Sequence, residues 1–101
     1  MKHKLLDILA CPTDSFFPLE LSIFEENEEI ISGILFCPKC LHWYPIRERI
    51  PEMFPDRQRD EEDELKFLNK WKEVAPQQVI KVGKPFNINN QLIKSKTKSF
   101  F

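Results

Sequence analysis

The spacing of apolar and polar residues changes near residue 56 of this 101-residue chain. Before that point, short apolar stretches alternate with polar residues, which is typical of half-buried strands. After it, apolar residues recur three or four positions apart, which is typical of a helix. The pattern therefore predicts an α+β fold, in which a small antiparallel or mixed β-sheet is preceded by a short N-terminal helix and followed by one longer helix.

Two strands are predicted before residue 38. The segment FPLELSIFEE alternates, with Leu19, Leu21 and Ile23 on one face. A polar turn at ENEE then leads into IISGILFC, the expected returning strand. Gly33 lies inside this second strand and predicts a bulge, because an isolated glycine in a strand often marks one.

A third strand is predicted at HWYPI, directly after a turn that contains two cysteines. Pro45 and Pro51 are expected to keep the stretch after this strand at a sheet edge or in irregular structure, because proline has no N–H to donate to a ladder. At the start of the chain, KHKLLDILA predicts one or two helical turns that end at Cys11.

The longer helix is predicted after residue 56. Its acidic first turns, residues 60–64, complement the positive end of the helix dipole, so this acidic segment requires no metal or partner. Pro76 is the expected stop. Four apolar residues recur at helical spacing: Leu65, Leu68, Trp71 and Val74.

The chain is expected to form one domain over residues 1–76, followed at 77–101 by an extra strand at Val79–Val82 and a flexible basic tail. Residues 1–65 carry 15 acidic and 7 basic side chains, a net charge of −8, whereas residues 66–101 carry 8 basic and 1 acidic, a net charge of +7. This distribution excludes a chain that binds nucleic acid over its whole surface and leaves that role to the tail at most.

The composition of the chain also indicates its cellular compartment. No apolar stretch reaches 18 residues, so no membrane span is predicted. The apolar segment at the start is short and interrupted by Asp7, which disfavours a signal peptide. Three cysteines, an odd number, disfavour a disulfide framework. A cytoplasmic protein is expected.

Two short cysteine-containing segments share one layout. C-P-T-D begins at Cys11 and C-P-K-C at Cys37, so each presents a cysteine, a proline, one further residue and a second potential ligand. Two such knuckles, brought together by strands, give a tetrahedral four-ligand site, and zinc ribbons are built in this way. The predicted metal ligands are Cys11, Asp14, Cys37 and Cys40, and the predicted metal is zinc.

Alternatives to this site remain open. His42, or less favourably His3, is another candidate for the fourth ligand, and a weakly held or lost metal would leave the cysteines as small core residues. A redox centre is disfavoured, because CPKC is not followed by a helical pattern. No Ser/His/Asp set, GxGxxG or GxxxxGK[ST] motif is present, so no active site is expected.

Several short segments, in order, resemble one known family: LLDILACP, PLEL, GILFCPKC, WYPI and RIPEMF. They are similar to the Trm-one-twelve-like proteins, small activator subunits of S-adenosylmethionine-dependent methyltransferases. The resemblance covers residues 1–54, and the short spacer between the knuckles resembles archaeal members. Asp14 stands where many relatives have a cysteine, and some relatives lack the metal.

The resemblance implies a zinc-ribbon-like, non-catalytic subunit. It would form heterodimers with several methyltransferases that modify transfer RNA, ribosomal RNA and the glutamine of release factors, and it would activate and stabilise them. S-adenosylmethionine would bind to the partner enzyme. The partner would add its sheet edge to a strand of the activator, with apolar contacts around it.

Apolar residues after the second knuckle are the candidate partner contacts: Trp43, Ile46, Ile50, Met53 and Phe54. In the alternative interpretation, Trp43 and Ile46 fill the core, and Met53 and Phe54 are exposed. RNA is expected to make contact only indirectly or through the basic tail. A stand-alone zinc ribbon that binds nucleic acid is the competing hypothesis, but the basic residues near the knuckles are offset by acidic ones.

Overall fold

The computed structural model of the protein describes residues 1–89 and contains one sheet, two 3₁₀ helices and two α-helices in this part of the chain. The strands are β1 (Glu20–Asn27), β2 (Glu29–Phe36), β3 (Trp43–Arg47) and β4 (Ile50–Pro51). The helices are a first 3₁₀ helix (His3–Asp7), a second 3₁₀ helix (Asp56–Gln58), α1 (Glu61–Trp71) and α2 (Gln77–Val82). The predicted α+β architecture is confirmed.

The sheet is an antiparallel meander with the strand order β1-β2-β3-β4. Its two tight turns use backbone conformations with positive φ, at Glu28 between β1 and β2 and at Glu48 and Arg49 between β3 and β4. In the β3–β4 turn both central residues have positive φ, which is the conformation that matches the twist of strands joined by a two-residue hairpin loop. β4 was not predicted from the sequence, because two residues are too few to show a period.

Gly33 lies where β1 and β2 come closest. A Cβ atom at this position would lie 2.4 Å from the backbone oxygen of Ser22, so only glycine fits. Gly33 pairs with Ile23, and the register shifts directly after that pair, on the way to Glu25. The predicted bulge is therefore confirmed beside Gly33.

β3 is an interior strand, and the stretch after it forms only the two-residue β4 at the edge of the sheet, as expected from Pro45 and Pro51. Pro45 pairs with Ile34 of β2 and is buried. On its other side it uses its carbonyl, which accepts a hydrogen bond from the Glu52 N–H at 2.8 Å. The proline is tolerated there because β4 is too short to require an N–H from it.

The sheet separates two apolar clusters. The first contains Leu19, Ile30, Leu35, Tyr44 and Ile46, together with Met1 and the cysteines Cys11 and Cys37. The second contains Ile34, Phe36 and Trp43 from the sheet, and Phe67, Leu68, Ala75, Val79 and Ile88 from the helical part of the chain. The first cluster adjoins the knuckles, and the second lies beneath the two α-helices.

The helix predicted after residue 56 is α1. The Asp60 side chain caps its start by accepting a hydrogen bond from the Glu62 N–H at 3.1 Å. Leu65 and Leu68 are buried as the spacing predicts, whereas Val74 is 62% exposed, because α1 ends at Trp71.

The extra strand predicted at Val79–Val82 was wrong, because these residues lie in α2. A short apolar segment does not distinguish strand from helix by itself. Here the four-residue spacing of Ala75 and Val79 brings both into the second cluster, so residues 77–89 share a core with the preceding ones. The predicted basic tail lies largely outside the described residues.

Candidate functional site

The two cysteine knuckles have the same backbone hydrogen bonding. In the first, the Ser15 N–H donates to the Cys11 carbonyl at 2.7 Å, and the Cys11 N–H donates to the Phe16 carbonyl at 2.9 Å. In the second, the Leu41 N–H donates to the Cys37 carbonyl at 2.9 Å. The Cys37 N–H likewise donates to the His42 carbonyl, at 2.8 Å. The C-P-T-D and C-P-K-C segments are therefore structural repeats as well as sequence repeats.

These repeats bring four potential ligands together. One donor atom from each of Cys11, Asp14, Cys37 and Cys40 lies within 4.8 Å of all the others. The sulfur atoms of Cys11 and Cys40 are 3.6 Å apart, and the Cys37 sulfur is 3.6 Å from each carboxylate oxygen of Asp14. The four predicted ligands thus form one group that could hold a metal ion.

Two of the separations, Cys11–Cys40 and Cys37–Asp14, match those of a tetrahedral metal site. With metal–sulfur bonds of about 2.3 Å and a metal–oxygen bond of about 2.0 Å, tetrahedral geometry separates two sulfurs by about 3.8 Å and sulfur from oxygen by about 3.5 Å. The observed 3.6 Å separations agree with both values. Three thiols and one carboxylate would close such a site without an open position for substrate.

The ligands differ in how readily they ionise. Burial raises the pKa of the Cys37 thiol, and it raises the pKa of Cys40 to about 12. The Phe16 N–H, 3.0 Å from the Asp14 carboxylate, lowers the pKa of that group. Cys37 and Cys40 therefore keep their protons at neutral pH until a metal displaces them, which is opposite to the behaviour of a redox-active thiol.

Tyr44 and Thr13 support the site, although sequence reasoning did not identify them. The Tyr44 hydroxyl is 3.3 Å from the Cys11 sulfur and 3.2 Å from the Thr13 hydroxyl. Burial raises the pKa of Tyr44, so the phenol retains a proton that it can donate to a Cys11 thiolate. The alternation of β3, which places Tyr44 on the knuckle side of the sheet, is the signal that could have identified it.

The two histidines lie elsewhere. His42 Nε2 is 2.9 Å from a carboxylate oxygen of Asp56, and His3 forms a hydrogen bond with Glu26. Neither belongs to the group of four ligands. Of the alternatives for the fourth position, the structure therefore favours Asp14 over both histidines.

The candidate partner contacts divide into core and surface residues. Trp43 and Ile46 are fully buried within the chain, as the alternative interpretation, in which they fill the core, predicts. Both residues lie on β3, an interior strand, and each side chain points into one of the two apolar clusters that cover the faces of the sheet. Met53 is half-buried against the first cluster, whereas Ile50 is 62% exposed and Phe54 is 50% exposed.

Ile50 and Phe54 lie on the β3–β4 hairpin and the segment after it, which adjoin two surface concavities. A groove of about 530 Å³ lies between the hairpin and α1, with Ile50 and Glu52 on one side and Phe67 and Trp71 on the other. A depression of about 420 Å³ lies between Arg49 and the first 3₁₀ helix, and it is lined by Met1, Leu5 and Ile8 among others. Ile8 is itself 76% exposed.

Comparison with known proteins identifies the family. The family model described as Trm112p-like protein matches residues 2–48. A solved complex between the Haloferax volcanii Trm112 methyltransferase activator and the putative methyltransferase contains a chain that is 40% identical to this one. The match covers 58% of this chain and 100% of that one, with a TM-score of 0.55. The chain belongs to the Trm112p-like family. The curated proteins include no match to it.

The Trm112p-like match includes both knuckles and all of β3, and therefore all four potential ligands. It ends before β4, α1 and α2. No helix within residues 1–89 of this Trm112p-like protein is long and apolar enough to cross a membrane.

Proposed function

We propose that this protein is a non-catalytic subunit that activates and stabilises several S-adenosylmethionine-dependent methyltransferases. The observation that carries the proposal is the full-length match to the Haloferax volcanii methyltransferase activator, at 40% identity. By family resemblance, the enzymes would modify the translation machinery: transfer RNA, ribosomal RNA and release factor glutamine. The partner enzyme, rather than this chain, would bind S-adenosylmethionine.

The contact surface is the outer side of the β3–β4 hairpin and the residues up to Phe54. Ile50 and Phe54 present apolar side chains there, and a partner strand could add to the sheet beside them. The opposite edge, β1, is less suited. It carries Glu20, Glu25 and Glu26 and has an irregular register, both of which discourage strand addition.

The metal is zinc, held by Cys11, Asp14, Cys37 and Cys40. Thiolate-rich tetrahedral sites favour zinc, and four protein ligands make the site structural rather than catalytic. When bound, zinc would hold the two knuckles together as a cross-link between the segment before β1 and the β2–β3 connection. Tyr44 would orient the Cys11 sulfur from outside the ligand set.

The test is co-expression with a methyltransferase from the same source, chosen for its similarity to the enzyme in the Haloferax volcanii complex. We expect a one-to-one heterodimer, and we expect S-adenosylmethionine to bind to the enzyme only when this chain is present. Calorimetry on the enzyme alone and on the complex measures that difference. An enzyme that is equally soluble, and that binds the methyl donor equally well without this chain, would refute the proposal.

A matched pair of variants locates the contact. Ile50 and Val74 are both 62% exposed, but only Ile50 lies on the proposed surface. Ile50→Asp should weaken the heterodimer at least about tenfold, because it places a charge in an apolar contact. Val74→Asp should leave the dissociation constant unchanged. Equal effects of the two substitutions would exclude the hairpin as the binding surface.

A further inference from the structure

The helical segment, defined here as residues 61–89, lies beyond the family match. That match ends at residue 48, and α1 begins at Glu61. The Haloferax volcanii chain is matched over its full length, yet the match covers only 58% of the present chain. That share is close to the fraction of the chain that precedes α1. The present chain is therefore longer than that relative, and its helical segment lies outside the family match.

The helical segment covers one face of the sheet. Ile34, Phe36 and Trp43 are at most 2% exposed, and they belong to the same cluster as Phe67, Leu68 and Val79 of the helical segment. The rings of Trp43 and Phe67 are nearly parallel, with centroids 6.4 Å apart. Without the segment, three large apolar side chains of the sheet would lose this cover.

The same segment also pairs with the outer edge of β3. Lys84 forms a parallel bridge with His42. The Trp43 N–H donates to the Lys84 carbonyl at 3.0 Å, and the Lys84 N–H donates to the Leu41 carbonyl at 2.8 Å. The indole N–H of Trp43 donates to the Phe86 carbonyl at 2.8 Å. Because β4 pairs with the remainder of this side of β3, β3 has no unpaired edge within residues 1–89.

We propose that the helical segment is an intramolecular partner of the sheet, which stays in place when a methyltransferase binds and confines that enzyme to the β3–β4 hairpin. The proposal rests on the proposed function. An enzyme that displaced the segment would have to replace three backbone or indole hydrogen bonds and re-cover Trp43. Docking at Ile50 and Phe54 requires neither, because both side chains are already exposed.

The segment would also contribute to the interface. α1 supplies Phe67, Lys70 and Trp71 to the groove whose other wall includes Ile50. Lys70 lies over the Trp71 ring, with its amino group 5.1 Å from the ring centroid. A methyltransferase seated on the hairpin would therefore meet α1 as well, and this contact would distinguish the partners of this chain from those of shorter relatives.

Hydrogen exchange tests the proposal on the full chain, labelled with ¹⁵N, free and bound to the methyltransferase used in the co-expression experiment. The Lys84 amide and the Trp43 indole N–H should be protected in both states, because the segment stays in place. The amides between Ile50 and Phe54 should gain protection on binding. Loss of protection at Lys84 and at the Trp43 indole in the complex would overturn the inference and show displacement.

A variant adds an independent measurement. Leu68→Ala loosens the packing of the segment, and it should change the dissociation constant of the heterodimer by less than about threefold. Tightening by about tenfold or more would mean that the segment competes with the enzyme, and would overturn the inference. If no heterodimer forms with the unmodified chain, the proposed function fails as well. Displacement within a stable heterodimer removes only the present inference.

Discussion

At the scale of single residues, Ser15 and Leu41 occupy equivalent places in the two knuckles. Each follows the second ligand of its knuckle, and each has a positive φ, 63° and 69° respectively. This conformation costs a residue other than glycine about 1–2 kcal/mol. The hydrogen bonds that return to Cys11 and Cys37 hold both residues in it, so the arrangement of the four potential ligands is maintained at the expense of local strain.

Ser15→Gly should therefore stabilise the protein. Ser15 is exposed and loses little packing, so relief of the strain should outweigh the greater freedom of glycine in the unfolded chain by about 0.5–1 kcal/mol. Chemical denaturation measures the change. Leu41→Gly is the control, because Leu41 also packs against the second cluster and should show no gain. A destabilised Ser15→Gly protein would contradict the strain argument.

Zinc affinity should increase with pH. Because burial raises the pKa of Cys37 and raises that of Cys40 to about 12, both thiols are protonated in the metal-free chain at neutral pH. Binding must release those protons, so apparent affinity should rise up to about tenfold per pH unit for each proton released. Competition with a chromophoric chelator between pH 6 and about 8 measures the slope. A flat profile would mean that these thiols do not become ligands.

The sequence predicted the ligand set because Asp14 repeats the position of Cys40 within its knuckle. It left His42 and His3 open as alternatives to Asp14, because excluding them requires knowing where Asp56 and Glu26 lie in the fold. The pairs formed by the histidines are contacts between residues distant in sequence. No local pattern contains that information.

At the scale of elements, a buried ion pair connects the second 3₁₀ helix to α1. The side chains of Arg59 and Glu64 are 1% and 7% exposed, and the Arg59 Nε atom is 2.8 Å from a Glu64 carboxylate oxygen. Arg59 also lies over the rings of Trp43 and Tyr44. This residue thereby fixes the start of α1 against β3.

Glu64→Ala should cost about 3 kcal/mol of unfolding free energy, because it leaves the buried Arg59 charge without its partner. Replacing both residues, as Arg59→Met with Glu64→Leu, should recover much of that loss. The exposed pair Lys66–Glu62 is the control, and Lys66→Ala should cost about 0.5 kcal/mol or less. Equal losses at the buried and exposed pairs, measured by urea denaturation, would show that burial does not determine the cost.

Strands and helices were predicted correctly where the alternating or helical pattern of apolar residues extended over enough residues. β1, β2 and α1 each have eight or more residues, and their alternation or helical spacing identified them. β4 has two residues and α2 has six, so tertiary contacts decided their conformation. The interior position of Pro45 was also unpredictable, because it depends on how short the neighbouring strand is.

At the scale of the whole molecule, the sheet separates two parts of the core that are stabilised in different ways. The first cluster holds Cys11 and Cys37 and adjoins the proposed zinc. The second cluster is covered by α1 and α2 and contains no cysteine. The proposed metal would therefore act directly on one face of the sheet, whereas the other face is held by apolar packing, the Arg59–Glu64 ion pair and the hydrogen bonds of Trp43.

Removal of zinc should therefore destabilise the face of the sheet that adjoins the knuckles before it affects the face beneath α1 and α2. A chelator should lower the thermal midpoint by about 10 °C or more, since each kcal/mol lost shifts a domain of this size by about 4–8 °C. Hydrogen exchange below that midpoint should quicken first at the Cys11 and Cys37 amides, while the Lys84 amide and the Trp43 indole N–H stay protected. In a Cys11→Ser, Cys37→Ser variant the chelator should have no further effect. If exchange quickened equally on both faces, the zinc would support the whole core as one unit, and the division proposed here would be wrong.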